Sequence, residues 1–299
     1  MGKINVLSFE VANLIAAGEV VDRPASVIKE LMENSIDAGA KKITVEIKNG
    51  GVSYMRVSDD GCGMEPEDMP LALKRHATSK IATAEDLAAI FTLGFRGEAL
   101  AAISSVSKVR ILSKTAEAAN GAMLCADGGR IVSVGEAGCP AGTTITVEEL
   151  FSNLPARRKF LKKDATVEKI ALSHPEIAVR LITDGNIKLD TAGDGKPENA
   201  IYAVLGRNFA QRMLPVKCRS EGVEVHGFIG TPDNVRPTRN FQNFFINNRY
   251  VKSRTAMAAI EQAFSSYIAP ERFPACVLFI DVNPGCQCAS GKAGGQILE

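Results

Sequence analysis

The chain has 299 residues, of which 45% are hydrophobic, enough for two domains of about 100–200 residues with real cores. A formal net charge of +1 gives no global pull toward nucleic acid or membrane, so any polyanion must be met by a local patch. No apolar run approaches the ~18 residues of a membrane span, and Glu19 interrupts the apolar stretch Leu14–Val21, so a protein with no membrane association, soluble and cytoplasmic, is expected.

In chain order, residues 26–39 read as one helix. Val27, Ile28, Leu31 and Met32 form its apolar side, and Glu30, Asn34 and Asp37 lie along one polar stripe. A carboxylate and an amide one turn apart can hold an attacking water beside hydrated Mg²⁺, which prefers hard oxygen ligands. Taken alone, the stripe reads more readily as a solvated helix face. The alternation in Lys42–Lys48 predicts a strand, Asn49-Gly50-Gly51 a hairpin turn, and Val52–Ser58 its antiparallel partner. Asp59-Asp60-Gly61-Cys62-Gly63 reads as a turn, and Pro66-Glu67-Asp68 as the opening of another helix.

Residues 75–99 are rich in Ala, Thr, Ser and Gly, with Thr83 and Asp86 at capping-box-like spacing; they predict a loop holding a short helix, then a helix from about Glu98. Strands follow at Lys108–Ser113, Gly121–Ala126, Arg130–Glu136 and Thr143–Glu148. Such a run of helices and strands predicts an α+β layer, helices on one face of a mixed, mostly antiparallel sheet. Asp190–Glu198 is a turn cluster leading into a helix, and the chain changes character near Arg207. Strands at Met213–Lys217, Val223–Ile229, Asn243–Ile246 and Cys276–Val282, with a helix at about 253–268, predict a second, smaller α/β unit. The seven cysteines contain no Cys-x-x-Cys pair and the three histidines are dispersed, which argues against a disulfide framework and a zinc site.

Glycine-lysine strings of the P-loop kind are absent. Asp59 followed by Gly61 and Gly63 can accept from an exocyclic amine while a flat ring approaches bare backbone, although as a lone turn these residues are ordinary. Glu30-x-x-x-Asn34 on a helix, Asp59-x-Gly61-x-Gly63 some 25 residues on, and a glycine-rich segment opening a later helix are together far more specific. In that order they resemble the nucleotide site of the GHKL (Bergerat-fold) ATPases. Arg75–Lys80 and Gly94–Leu100 are similar to the ATP lid of the MutL mismatch-repair family; Asn13–Val21 and Leu150–Phe160 also resemble it, so that the likeness runs over about residues 4–284.

By this resemblance the chain is a Mg²⁺-dependent ATPase of weak turnover, with ATP and Mg²⁺ as cofactors. Glu30 would orient the hydrolytic water, Asn34 would bind Mg²⁺ with Asp37 nearby, and Asp59 would recognise adenine, supported by Thr143 and by the backbone of Gly63 and Met64. Thr78, Ser79, Lys80, Arg96, Gly97, Glu98, Ala99 and Leu100 would wrap the phosphates, consistent with an anion site at a glycine-rich helix start. His76 is expected to make a structural hydrogen bond. The implied domains are a GHKL unit at 1–206, a ribosomal-protein-S5-like βαβ unit at 207–284 with a truncated look, and a non-matching tail at 285–299.

The family role would be ATP-timed lid ordering and association of two N-terminal domains, with Arg23–Ser26 contributing, to link MutS to a downstream nuclease or helicase. Residues 207–254 hold nine basic and three acidic side chains, interleaved with Phe241, Phe244, Phe245 and Tyr250. They either track DNA phosphates without sequence specificity or form an ordinary surface with core aromatics. Arg254, Arg249 and Lys252 are the DNA candidates, and Arg157–Lys163 is a further basic cluster.

In the family, the strand ending near Pro284 leads to a lysine that reaches the γ-phosphate. Here Gly285–Glu299 has no such match, and Lys292 cannot be assigned that role on residue type alone. A disordered tail, slow hydrolysis and no stable ATP-free homodimer are therefore expected. The alternative is a nucleotide- and DNA-binding module with little turnover.

Overall fold

A computed structural model describes residues 20–81, 92–94, 97–153, 165–220 and 222–282. Expectations for Arg96, Thr83, Asp86, 157–163 and the tail beyond 282 lie outside the described residues. Helix α1, Pro24–Asp37, follows an extended Arg23 and opens on Pro24, whose missing N–H would have had no helical partner. Its apolar stripe, Val27, Ile28, Leu31 and Met32, is buried, together with Ser35. Strands β1 (Lys42–Lys48) and β2 (Tyr54–Asp59) pair antiparallel with Ile43 opposite Asp59 and Lys48 opposite Tyr54. The connection is longer than a tight hairpin: Asn49–Gly51 form one 3₁₀ turn, and the second strand starts at Tyr54 rather than Val52.

The short helix α2 (Met69–Ala72) and helix α3 (Ala99–Ser105) precede β3 (Lys108–Lys114), β4 (Gly121–Asp127), β5 (Arg130–Ala137) and β6 (Gly142–Glu148). Helix α4 (Thr166–Ser173) and strands β7 (Ala178–Thr183) and β8 (Asn186–Asp190) have no counterpart in the sequence expectations. They complete an eight-stranded sheet of order β5-β4-β3-β6-β2-β1-β7-β8, in which β1–β7 is parallel and every other pair antiparallel. Ile43, Val45, Met55, Val57, Val109, Ile111, Ile145 and Val147 point to the buried face, and α1 packs there on β1 and β2. The first compact unit runs through Val167 and takes in Glu176–Gly193.

The second unit comprises Glu168–Pro175 and the chain from Asp194. Helix α5 (Pro197–Leu205) belongs to it, upstream of Arg207, because Ile201, Val204 and Leu205 enter its core. Helix α6 (Arg207–Ala210), β9 (Met213–Ser220), β10 (Val223–Gly230), β11 (Gln242–Ile246), β12 (Arg249–Val251), helix α7 (Arg254–Phe264) and β13 (Cys276–Val282) follow. The sheet order is β12-β11-β13-β10-β9, with β11 and β13 parallel and α7 between them in sequence, a βαβ unit. Phe245 packs with Phe228, Val277 and Phe279 on one face, and its neighbour Phe244 with Ile260 and Cys276 on the other. Strand alternation therefore takes both aromatics out of any DNA groove. Burial pushes the Cys276 thiol up to about 12, so it behaves as a small apolar side chain. Among the described residues no helix is long and apolar enough to cross a membrane.

Candidate nucleotide site

The last turn of α1, Lys80 and residues 93–94 meet on one carboxylate. Lys80 Nζ lies 2.5 Å from Asp37 Oδ2 and 2.8 Å from Asn34 Oδ1, while the backbone N–H groups of Leu93 and Gly94 donate to Asp37 at 2.9 and 3.1 Å. The Asp37 side chain is 7% exposed and that of Lys80 19%, so this is a shielded ion pair. Two hard oxygens thus converge on a cation, which is the donor chemistry Mg²⁺ takes. Glu30 stands one turn before Asn34, 27% exposed, with Lys29 Nζ 3.6 Å from its carboxylate. Thr78 Oγ1 accepts the Lys80 N–H at 3.2 Å, fixing the turn that carries Ser79 and Lys80. Glu98 precedes α3, so Ala99 and Leu100 are its first residues. The Gly97 carbonyl accepts the His76 N–H at 3.0 Å, and His76 Nδ1 lies 3.3 Å from Glu98 Oε1.

Asp59 ends β2 with its carboxylate inside a cage of donors. Ser35 Oγ donates to Oδ2 at 2.7 Å, and the N–H groups of Gly61 and Thr143 donate to Oδ1 at 2.9 and 3.3 Å. Burial is the largest influence and raises its pKa above the ordinary carboxylate value, against the lowering effect of those hydrogen bonds. Backbone approaches closely on two sides. Gly63 has φ +75°, and a Cβ there would sit 2.1 Å from the Lys114 carbonyl oxygen; Gly142, at φ +109°, would place one 2.1 Å from the Asp59 carbonyl oxygen. Only glycine fits either position. Next door, Asp60 Oδ1 accepts the N–H groups of Lys41 and Lys42, which pins the turn to the start of β1.

Sequence reasoning missed Ser35 and Ser113. Ser35 anchors Asp59 with its one proton, and its Oγ also lies 3.1 Å from the Leu31 carbonyl oxygen. Ser113 accepts the Met64 N–H at 2.8 Å and lies 2.9 Å from Thr143 Oγ1. The available signal was parity: Ser35 falls on the buried stripe of α1, and Ser113 follows Val109 and Ile111 on the inward side of β3.

In the second unit, Arg212, Lys217 and Arg239 pair with Asp233, Glu224 and Glu261, and Arg236 lies over the rings of Phe209 and Phe241. Lys252 and Arg254 are exposed, as is Arg249 at the start of β12. Arg254 opens α7, capped by Ser253 Oγ, which accepts the Ala256 N–H at 3.1 Å. A cation in a first helical turn opposes the helix dipole, so nothing in the helix itself calls for arginine there.

Known proteins resemble this chain over stretches of both units. Residues 22–148 match the family described as histidine kinase-, DNA gyrase B- and HSP90-like ATPase, and residues 201–287 the family described as DNA mismatch repair protein, C-terminal domain. The MutL proteins of Symbiobacterium thermophilum and Desulforudis audaxviator are 49% and 45% identical over 95% of this chain, covering 46% and 52% of their own lengths. The chain thus spans about half the length of these relatives. Among solved structures, the N-terminal domain of a DNA repair protein aligns with TM-score 0.76 and 26% identity over 91% of this chain and 87% of its own. The Aquifex aeolicus MutL ATPase domain complexed with ADP aligns at 0.66 and 27%, over 89% of this chain and 94% of its own. With an eight-stranded sheet under α1, a βαβ unit later in the chain and these matches along its length, the chain belongs to the MutL family of DNA mismatch repair proteins, as their N-terminal GHKL ATPase region.

Proposed function

We infer that this chain binds ATP with Mg²⁺ and hydrolyses it slowly, as a switch that couples mismatch recognition to strand excision. The observation that carries the reading is the pairing of two built ends in the first unit: a caged carboxylate at Asp59 and a cation-holding oxygen pair at Asn34 and Asp37. Asp59 accepts from the adenine amine, and Thr143 stands beside it. Asn34, with Asp37 close by, holds the metal, which when bound would neutralise charge on the phosphates. Glu30 orients the attacking water as general base. Thr78, Ser79, Lys80, Arg96, Gly97, Glu98 and the first residues of α3, Ala99 and Leu100, close on the phosphates, an ordering that favours ATP-dependent association of two N-terminal regions.

The partners this implies are MutS, a downstream nuclease or helicase, and DNA gripped through phosphates by Arg249, Lys252 and Arg254. The relatives' names and the nucleotide in the Aquifex aeolicus structure support the reading. Glu30→Ala tests it: ATP affinity should stay within about threefold while turnover drops by at least 10²-fold. If the unaltered chain binds ATP without measurable turnover, a nucleotide- and DNA-binding module replaces the enzyme.

A further inference from the structure

Arg207, Arg212, Arg236 and Arg239 lie on α6, its exit and the loop 231–239 of the second unit, which is fastened to that exit. The Thr231 N–H donates to the Arg212 carbonyl at 2.9 Å, and Asn234, 1% exposed, donates through Nδ2 to the Phe209 and Arg212 carbonyls at 3.3 and 3.2 Å. Two of the four arginines are neutralised locally, Arg212 by Asp233 at 3.5 Å and Arg239 by Glu261 at 2.7 Å. Among the described residues no carboxylate pairs with Arg236 or with the exposed Arg207, so both keep their charge for a partner.

Arg236 is held in place from three sides. Its backbone N–H and carbonyl exchange hydrogen bonds with Phe273, both at 2.9 Å, and its guanidinium lies 4.8 Å from the ring centre of the buried Phe209 and 5.2 Å from that of Phe241. Stacking fixes the plane and uses none of its N–H groups. Nη1 donates to the Val235 carbonyl at 3.0 Å, and neither Nε nor Nη2 is a buried atom lacking a partner, so both reach solvent. A guanidinium is weakly hydrated, its fork matches two phosphate oxygens, and one held flat beforehand loses little freedom on binding. Duplex DNA carries a phosphate charge for about every 1.7 Å of axis, dense enough to meet both unpaired arginines. We propose that this patch is a phosphate-contact site for duplex DNA, with Arg236 as its fixed bidentate donor and Arg207 as its second charge, in addition to Arg249, Lys252 and Arg254. The assignment rests on the reading of the chain as DNA-binding.

Fluorescence anisotropy with a labelled duplex of mixed sequence, repeated over a range of salt, tests it in the unaltered chain, Arg236→Met, Arg236→Lys and Arg207→Gln. Methionine keeps an apolar stem over the rings and removes the charge. Binding should then weaken about three- to tenfold, and the slope of log affinity against log salt should flatten by about 1. Arg207→Gln should flatten the slope by about the same amount. Arg236→Lys keeps the charge and loses the fork, so the slope should hold while affinity still falls about two- to fivefold. If Arg236→Met lowers thermal stability and leaves affinity and slope as they were, the arginine only covers the core and the assignment fails. Should Arg236→Met not fold, unaltered affinity in Arg236→Lys or an unaltered slope in Arg207→Gln overturns it as directly. Absence of DNA binding by the unaltered chain overturns the DNA reading and the assignment together, whereas binding that persists unchanged in all three variants overturns the assignment alone.

Discussion

Replacing Asp59 by asparagine exchanges one carboxylate oxygen for an NH₂ group and gives a countable outcome. An ionised carboxylate offers about four lone-pair positions, and three are taken by Ser35, Gly61 and Thr143, which leaves one for the adenine amine. In the asparagine, Oδ1 keeps the Gly61 and Thr143 N–H groups and has nothing left. The new amide nitrogen must face Ser35 Oγ, which can accept once its proton turns from residue 59 to the Leu31 carbonyl oxygen 3.1 Å away. The cage therefore survives, and the adenine amine meets no acceptor. Leaving one such donor unpaired costs about 1–3 kcal/mol, or roughly 10–100-fold in ATP affinity. Purine riboside triphosphate, which lacks the 6-amino group, is the internal control. Isothermal titration should show Asp59→Asn weakening ATP by that factor and leaving the control within about twofold. Equal loss for both ligands would refute the reasoning, because it would mean that the substitution disturbs the site as a whole.

Burial raises the Asp59 pKa, so acidification should weaken ATP binding from a pH above 3.8, and Asp59→Asn should flatten that profile. Its stability effect has the opposite sign. Between 3.8 and the raised value the folded chain holds more protons on this group than the unfolded chain, so its contribution to stability grows as pH falls and is lost as pH rises through the folded pKa; melts of both proteins across that window check it. Lys80→Met leaves the shielded Asp37 carboxylate with two backbone donors, and urea titration should show a loss of about 1–3 kcal/mol that Asp37→Asn largely reverses. Lys252→Glu with Arg254→Glu should flatten the slope of log affinity for duplex DNA against log salt by about 2, with ATP affinity unchanged. A slope that does not move places the DNA contact elsewhere.

Much of the first unit was legible because its buried faces alternate cleanly: Val27, Ile28 and Leu31 mark α1, Ile43 and Val45 mark β1, and Val109 and Ile111 mark β3. The strand pair β7–β8 was not. Its alternation breaks at Leu181 and Ile182, where the register shifts by a bulge, and its parallel pairing to β1 joins residues far apart in sequence. The 3₁₀ turn at Asn49–Gly51 escaped for a related reason, since glycine pairs announce a turn without saying how many residues it takes. At the site, residue types with obvious chemistry stood out, and the buried hydroxyls that orient them did not. Ser35 and Ser113 look like small tolerated substitutions in apolar rows until the hydrogen bonds to Asp59, Met64 and Thr143 are seen. The aromatics of β11 carried the opposite risk: Phe244 and Phe245 sit among basic residues in sequence and are both core.

The Asn34–Lys80–Asp37 contact also sets a rule of mutual exclusion. One ammonium sits on both oxygens, so if Asn34 holds a divalent ion as proposed, Lys80 would have to give up that oxygen, and with it part of the tie between residue 80 and the end of α1. Metal arrival and release of a positive charge for the triphosphate would then be a single counter-ion exchange, with the backbone donors of Leu93 and Gly94 still holding their carboxylate as its pivot.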